Sequence, residues 1–427
     1  MQKLNPLPKT PSGLRSLEDA LAEQNVTVLS GDYRELFDLR DRMLKIDDKL
    51  LLVYRHEDIR HLSTIPAVSN TPADIYLESA YHGPADNPLS DQERVHICAL
   101  QRDLFFTSRP PEHKLMKPIF AKAMSPKVAA LLRESAAKAA ARIVDRVVGT
   151  GEINFLQDVA DPYAREFWGD VFEMTEDERR AFVGPCSNLL PIATGEQDRD
   201  DLVALNDAIP EYLRILTDAI GRVERKGGHP FLNALREQFE AVDQRGQGIP
   251  ARFEILVAVN IIDGFHAVPA AFSNCLLTLL RNPHQWEALR SDDSTLKAAV
   301  YEALRVCSPV PVTTRYLLED IEYDGLPLSA GTTLVMLWGA STLDPSIQDD
   351  AGAFDPARSQ KATTLFGGGV QICPGRNIAR MMVEEGINAL IRPDLTVELT
   401  GEPTWRPGLP LTPPIHPAGL PVTITRR

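Results

Sequence analysis

Residues 366–375 read FGGGVQICPG, which sets a lone cysteine among four glycines and a proline. A structural thiol sits among large apolar side chains, whereas Gly367, Gly368, Gly369 and Gly375 leave the backbone bare enough to approach something flat or bulky. After Pro374 the stretch GRNIARMMVEEGINALI carries Ile378, Met381 and Met382 at helical spacing, so the thiolate of Cys373 is predicted at a helix N-terminus. The dipole and free amides there favour negative charge. A thiolate presented in this way suits a flat metallocofactor. Heme iron accepts an axial cysteine thiolate, whose electron density favours O–O cleavage. Taken alone, such a loop is equally a tight turn with an inert thiol.

The bulk numbers narrow the field. With 44% hydrophobic and 24% charged residues over 427 positions, the chain has an ordinary globular balance. No linker or charge block marks a place to cut it, so residues 1–427 are read as one domain. A formal charge of -14 argues against nucleic acid and against an anionic membrane surface, leaving small molecules or a locally docked protein as partners. The five cysteines, at 98, 186, 275, 307 and 373, are odd in number and form no CxxC pair, which suggests neither a disulfide framework nor zinc. The first residues, MQKLNPLPKTPSGLRSLEDALAEQ, carry proline and charge where a signal peptide has an apolar core, and a cytoplasmic location is expected.

LLLVYRHEDIRHL, from about residue 50, reads as a short strand followed by a helix with Ile59 and Leu62 on one side. Residues 66–95, rich in Pro, Asn, Asp and Gly, read as a long surface loop of the kind that binds ligands. Pro111 to about Val148 is helical in pattern, and TEDE caps a further helix at Thr175. Glu254–Leu280 reads as one long buried helix, too often interrupted by polar residues to span a membrane. SDDSTLKAAVYEALRVCSP gives another helix, ending before Pro309, and short β segments follow in 313–328 and 331–340. The expected class is mainly α with small β-sheets.

Against that background Phe366, Gly367, Gly369, Cys373 and Gly375 closely resemble the heme loop of the cytochrome P450 family, Phe-Gly-x-Gly-x-(His/Arg)-x-Cys-x-Gly. Glu302 and Arg305 match the family's Glu-x-x-Arg, a buried ion pair; that spacing is common on exposed helices and gains meaning from its order and distance before the cysteine. RPPEHKLMKPIF is similar to the segment whose His and basic residue reach a heme propionate, here His113 and Lys117, and Arg315 matches a further propionate ligand. TLDP (342–345) and FDPAR (354–358) extend the likeness, which runs from about residue 50 to the end; residues 1–40 have no clear match. The resemblance implies a single-domain fold with heme b (iron protoporphyrin IX) between a long distal helix and the loop of the Cys373 ligand. It also implies a ferredoxin- or flavodoxin-type electron donor, drawn to the proximal face near Arg376 and Arg380. Lys117 and His113 have the bland alternative of being structural.

The chain departs from the family in two places. Where the distal helix of relatives carries Ala/Gly-Gly-x-Asp/Glu-Thr, this sequence has Asp263, Gly264, Phe265, His266 and Ala267, so the acid has become His266 and the alcohol Ala267. In a monooxygenase of this family the pair organises proton delivery for dioxygen reduction. His266 could replace the acid as proton donor, contact a substrate carboxylate, or merely satisfy a carbonyl freed by Pro269. Asp263, one turn before Ala267, could carry the acid role or only touch core water. The second departure is Gln371, which stands where His or Arg holds a propionate. Substrate contacts are expected from Phe265, Val268, Val310, Val312 and Leu411, on the 66–100 loop and around residues 265–271, 309–314 and 409–412. The leading function is a monooxygenase-like enzyme acting on a small or medium organic molecule in specialised metabolism. The missing acid–alcohol pair keeps open a peroxide-using or redox-neutral enzyme (peroxygenase, rearrangement, dehydration or coupling), and a non-catalytic heme binding protein is the third reading.

Overall fold

The computed structural model describes residues 33–39, 41–80, 83, 86–108, 110–189, 198–243, 252–359, 363–405 and 417–427. They are mostly helical, with small sheets, as expected. The largest sheet has five strands in the order Met43–Asp47, Leu50–Val53, Thr333–Met336, Thr313–Leu317 and Val68–Ser69. Leu50–Val53 runs parallel to Thr333–Met336, pairing Leu51 with Leu334, and the other pairings are antiparallel. Glu152–Asn154, Pro421–Arg426 and Leu395–Leu399 form a three-stranded sheet.

The helix after the cysteine loop, Arg376–Leu390, is the hub of the core. Its Ile378, Met381, Met382, Val383 and Ile387 are buried, and it packs on Pro126–Val147, Leu296–Val306 and Ala267–Leu280. Contact with the last is close because Gly386 has no side chain: a Cβ there would lie 2.7 Å from Cζ of Phe272. The helix begins at Arg376 with Gly375 as its N-cap residue, slightly later than Pro374 suggests. Elsewhere the Thr175 cap forms as read: its hydroxyl accepts from Glu178 N–H at 3.3 Å, and the Glu178 carboxylate accepts from Thr175 N–H at 2.7 Å.

Three expectations change. The helical run from Pro111 is two helices, Glu112–Ala123 and Pro126–Val147. Pro126 forces the preceding Ser125 into an extended conformation (ψ 161°) and opens the second helix as its first residue. The 66–95 segment is not simply a surface loop. It contains Val68–Ser69 and the helix Ala73–Ala80, and its Thr71 hydroxyl is buried against that of Thr314 at 2.7 Å.

The third change matters most for the site. The long central helix is broken into Phe253–Asn260 and Ala267–Leu280, joined by a 3-10 turn at Ile262–Phe265 and bent by 41°. Asn260 ends the first half by donating its side-chain amide back to Leu256 O (2.9 Å) and across to Asp103 O (3.2 Å), while its Oδ1 accepts Phe105 N–H (2.8 Å). Gly264 lets the turn lie on Trp168, where a Cβ would sit 2.9 Å from the indole nitrogen. Pro269, which would break a continuous helix, falls in the first turn of the second half, where a missing N–H costs nothing. Among the described residues no single helix is long and apolar enough to cross a membrane; this bent pair is, by length and composition, but most of its residues are buried in the core.

Candidate functional site

The cysteine loop is held by its own backbone and by a neighbouring helix. Cys373 N–H donates to Phe366 O at 2.9 Å, and Gly367 N–H to Thr364 O at 2.8 Å. Gly367 and Gly369 adopt φ of 79° and 60°, left-handed values that side chains disfavour. The bareness of the loop serves protein packing as well as any ligand: a Cβ on Gly369 would stand 1.9 Å from the carbonyl oxygen of Ser63, at the end of the His56–Leu62 helix, and one on Gly368 would stand 3.2 Å from Ser63 Oγ. Gly369→Ala is therefore expected to destabilise the protein by at least about 2 kcal/mol, combining left-handed strain with a backbone clash. Denaturant unfolding checks this, and an unchanged midpoint would show that the loop is free to shift.

Cys373 is half-buried. Burial pushes its thiol up and Asp263 adds to that, while the Gly375 N–H, Lys117 and Arg376 pull it down. The amide and cations expected at this helix start are thus present. Arg376 also donates to Cys373 O at 2.9 Å. Arg380 is engaged internally, with its guanidinium 4.6 Å from the ring centroid of Tyr301 and 3.9 Å from Glu384 Oε1.

His113, Lys117 and Arg315 come together, as the resemblance implies, and repel one another. Burial, with Lys117 and Arg315 nearby, takes His113 down to about 4. Burial is also the main cause that takes Lys117 to about 8, and the only one that takes Arg315 to about 10. Arg315 donates to Thr314 O and Thr313 Oγ1 but has no carboxylate partner, and its Nε is buried with nothing to bond. His113 Nε2 and Gln371 Oε1 are likewise buried and unpartnered. Buried cations without an anion are costly, so this cluster fits a group that brings its own carboxylates, as heme propionates do. Lys117 differs from the expectation in one respect: its ammonium donates to Ile372 O at 2.7 Å and so braces the ligand loop itself.

Asp263 lies within the 3-10 turn; its side chain is exposed, although protein crowds around the carboxyl. Burial alone raises its carboxyl to about 6. Its charge reaches Cys373, whose thiol it raises. His266 is half-buried where the turn joins the second helix, followed by Ala267. Phe265 does not line this region as a substrate contact would. It is 2% exposed and its ring lies 5.1 Å from Phe182, 6.2 Å from Tyr212 and 6.3 Å from Trp168, because the 3-10 turn rotates it into the core. Val268 is buried, Val310 is exposed, and Val312 packs against the cluster of Leu337 and Ala340. Leu411 and the 409–412 segment lie outside the described residues.

Glu302 and Arg305 form a bidentate pair, the buried ion pair that the resemblance implies, at 2.8 and 2.7 Å, with Glu302 fully buried and Arg305 nearly so. Arg358, seen in the sequence only as the end of FDPAR, is a third member, with Nε 3.1 Å from Glu302 Oε1. Arg305 further donates to Thr342 O and Ala351 O, which straps the 342–358 segment to the helix.

The chain is similar to known proteins of one family. Residues 254–393 match the family model "Cytochrome P450". The chain is 29% identical to cytochrome P450 107B1 of Saccharopolyspora erythraea over 301 residues, covering 70% of this chain and 72% of that protein. It is 27% identical to the 20-oxo-5-O-mycaminosyltylactone 23-monooxygenase of Streptomyces fradiae over 342 residues, 80% of this chain and 76% of that one. The crystal structure of CalO2 superposes with a TM-score of 0.75 at 23% identity, covering 92% of this chain and 95% of CalO2.

Proposed function

Since the chain belongs to the cytochrome P450 family, whose members are heme b enzymes with a cysteine thiolate ligand, we propose that it is a monooxygenase in which Cys373 is that ligand and the substrate is a small or medium organic molecule of specialised metabolism. The observation that supports this reading is the cluster of His113, Lys117 and Arg315 beside the cysteine loop, in which Lys117 bonds Ile372 O while His113 Nε2 and Arg315 Nε are buried without a partner. Bound there, heme would supply one-electron and dioxygen chemistry, with the Cys373 thiolate as its protein ligand.

The protein's own residues do the rest. Arg315 and His113 would hold the propionates; Gly375 N–H and Arg376 favour the ionised sulfur; Lys117 fixes the carbonyl next to it. His266 takes the place of the missing acid as proton donor on the distal wall, since imidazole exchanges protons near neutrality. Electrons come from a ferredoxin or flavodoxin that docks beside Arg376. The Streptomyces fradiae relative, named for 20-oxo-5-O-mycaminosyltylactone 23-monooxygenation, supports a specialised metabolite as substrate.

Ala267, in the place of an alcohol, favours a second reading in which peroxide, or no oxidant, replaces dioxygen. One experiment separates them: purified protein is given a ferredoxin system and dioxygen, or hydrogen peroxide alone, across a panel of organic substrates, with product and released peroxide both counted. Product coupled to dioxygen is expected. His266→Ala should then lower product formation by about 100-fold while heme absorbance stays unchanged. Wild-type rates in that variant would remove His266 from proton delivery, and product from peroxide alone would establish the second reading.

A further inference from the structure

We propose that Phe105, pinned by Asn260, is a positioning residue for heme: its ring aims the His113 imidazole at a heme carboxylate. This rests on the reading above in taking His113 as a propionate contact, and it deepens that reading by naming what gives the contact its direction.

No hydrogen bond sets the direction of the imidazole. His113 is buried in the first turn of the Glu112–Ala123 helix, so its backbone is fixed. Its side chain is not: Nε2 is buried without a partner, and among the described residues the ring makes no hydrogen bond. Against it lies the ring of Phe105, with centroids 6.3 Å apart and planes inclined by 32°.

Phe105, by contrast, is held from two sides. Its N–H opens the 3-10 turn Phe105–Thr107, where no carbonyl of the turn can accept it, and Asn260 Oδ1 accepts it at 2.8 Å. The Asn260 amide also donates to Asp103 O at 3.2 Å, so this one side chain grips both peptides that flank the buried Leu104. On its other side the Phe105 ring stacks on Phe120, at 5.3 Å and 17°. Phe120 is fully buried and stands two turns after His113 on the same helix, so the two share a face and Phe105 lies along it.

A pinned ring therefore bounds an unpinned one. Charge attracts from any side, and Arg315, with five donors, tolerates a shift. A single N–H does not, because a hydrogen bond weakens steeply once it is misaligned. The neutral His113 ring has one N–H to offer a carboxylate, and the Phe105 face decides where it points. Since Asn260 also ends the first half of the broken distal helix, the bend and the carboxylate contact share one support.

The test is a double-mutant cycle on ferric heme-loaded protein, read as the rate of heme transfer to an excess of scavenging apoprotein. His113→Ala should speed release about 10-fold, as loss of one hydrogen bond to a charged group does. Phe105→Ala should do the same in the wild type, yet change release by less than about 2-fold in His113→Ala, where the group it aims is gone. Phe105→Tyr keeps the ring and should release heme as slowly as the wild type. Phe105→Leu, which keeps apolar bulk without the flat face, is expected to follow Phe105→Ala and replaces it should that variant not fold. Equal acceleration in both backgrounds would mean that Phe105 only supports the helix, and would overturn the proposal; so would release unchanged by either Phe105 substitution. If His113→Ala itself releases heme at the wild-type rate, the propionate contact fails as well; if it speeds release and only the coupling is missing, the positioning alone fails.

Discussion

Cys373→Ser is expected to abolish the thiolate signature of the reduced carbon monoxide complex and to cut oxidative turnover by more than about 100-fold, the upper end of what loss of a mere outer-shell partner costs a metal site. A serine hydroxyl stays protonated where a thiol ionises, so the nearby Gly375 N–H, Lys117 and Arg376 would have no anion to stabilise. Heme should still be retained in part, because Arg315, His113 and Lys117 remain. Cys98→Ser, on the Val95–Asp103 helix, is the control and should alter neither readout. An unchanged spectrum in Cys373→Ser would remove the central assignment.

Glu302→Ala carries the largest expected stability effect. The carboxylate accepts from Arg305 at 2.7 and 2.8 Å, from Arg358 at 3.1 Å and from Asp355 N–H at 3.1 Å, all away from water. Its removal leaves two guanidinium groups without their anion, and breaking a buried pair from one side costs about 3–5 kcal/mol. Native proteins have only about 5–15 kcal/mol in hand. The denaturant midpoint should fall by a large fraction, and heme loading with it, since the Arg305 helix packs on the helix that follows Cys373. A loss below about 1 kcal/mol would mean that Arg305 and Arg358 find other partners.

The features legible in the sequence were those carried by residue identity. Left-handed glycines and a cysteine before a helix each need a particular side chain at a particular place, so the Phe366–Gly375 loop could be read directly, whereas Glu302 and Arg305, spaced as on many exposed helices, gained meaning only from their order before that loop. Periodicity was less informative. Glu254–Leu280 is apolar on most faces, so nothing in its pattern marks the bend; the break is made by Asn260 reaching Asp103 and Phe105, and by Gly264 meeting Trp168, contacts across more than a hundred residues of chain in the first case. The same bend turns Phe265 into the aromatic core, which a continuous helix would not suggest. Arg358 was visible as part of FDPAR, but its partner is 56 positions away, and Ser63 gives no sign in sequence that Gly369 will rest against its carbonyl.

That last contact bears on modularity. The recognisable third of the chain, residues 254–393, contains every motif of the ligand loop and its helix, yet the loop is clamped by Ser63, by Lys117 through Ile372 O, and by Met124 O through Asn377 at 2.9 Å. All three lie outside that third. The matched segment is thus not one that could be transplanted or expressed as a cartridge: its shape is imposed from outside it, where carbonyls and an ammonium meet a bare glycine, an amide and a loop carbonyl.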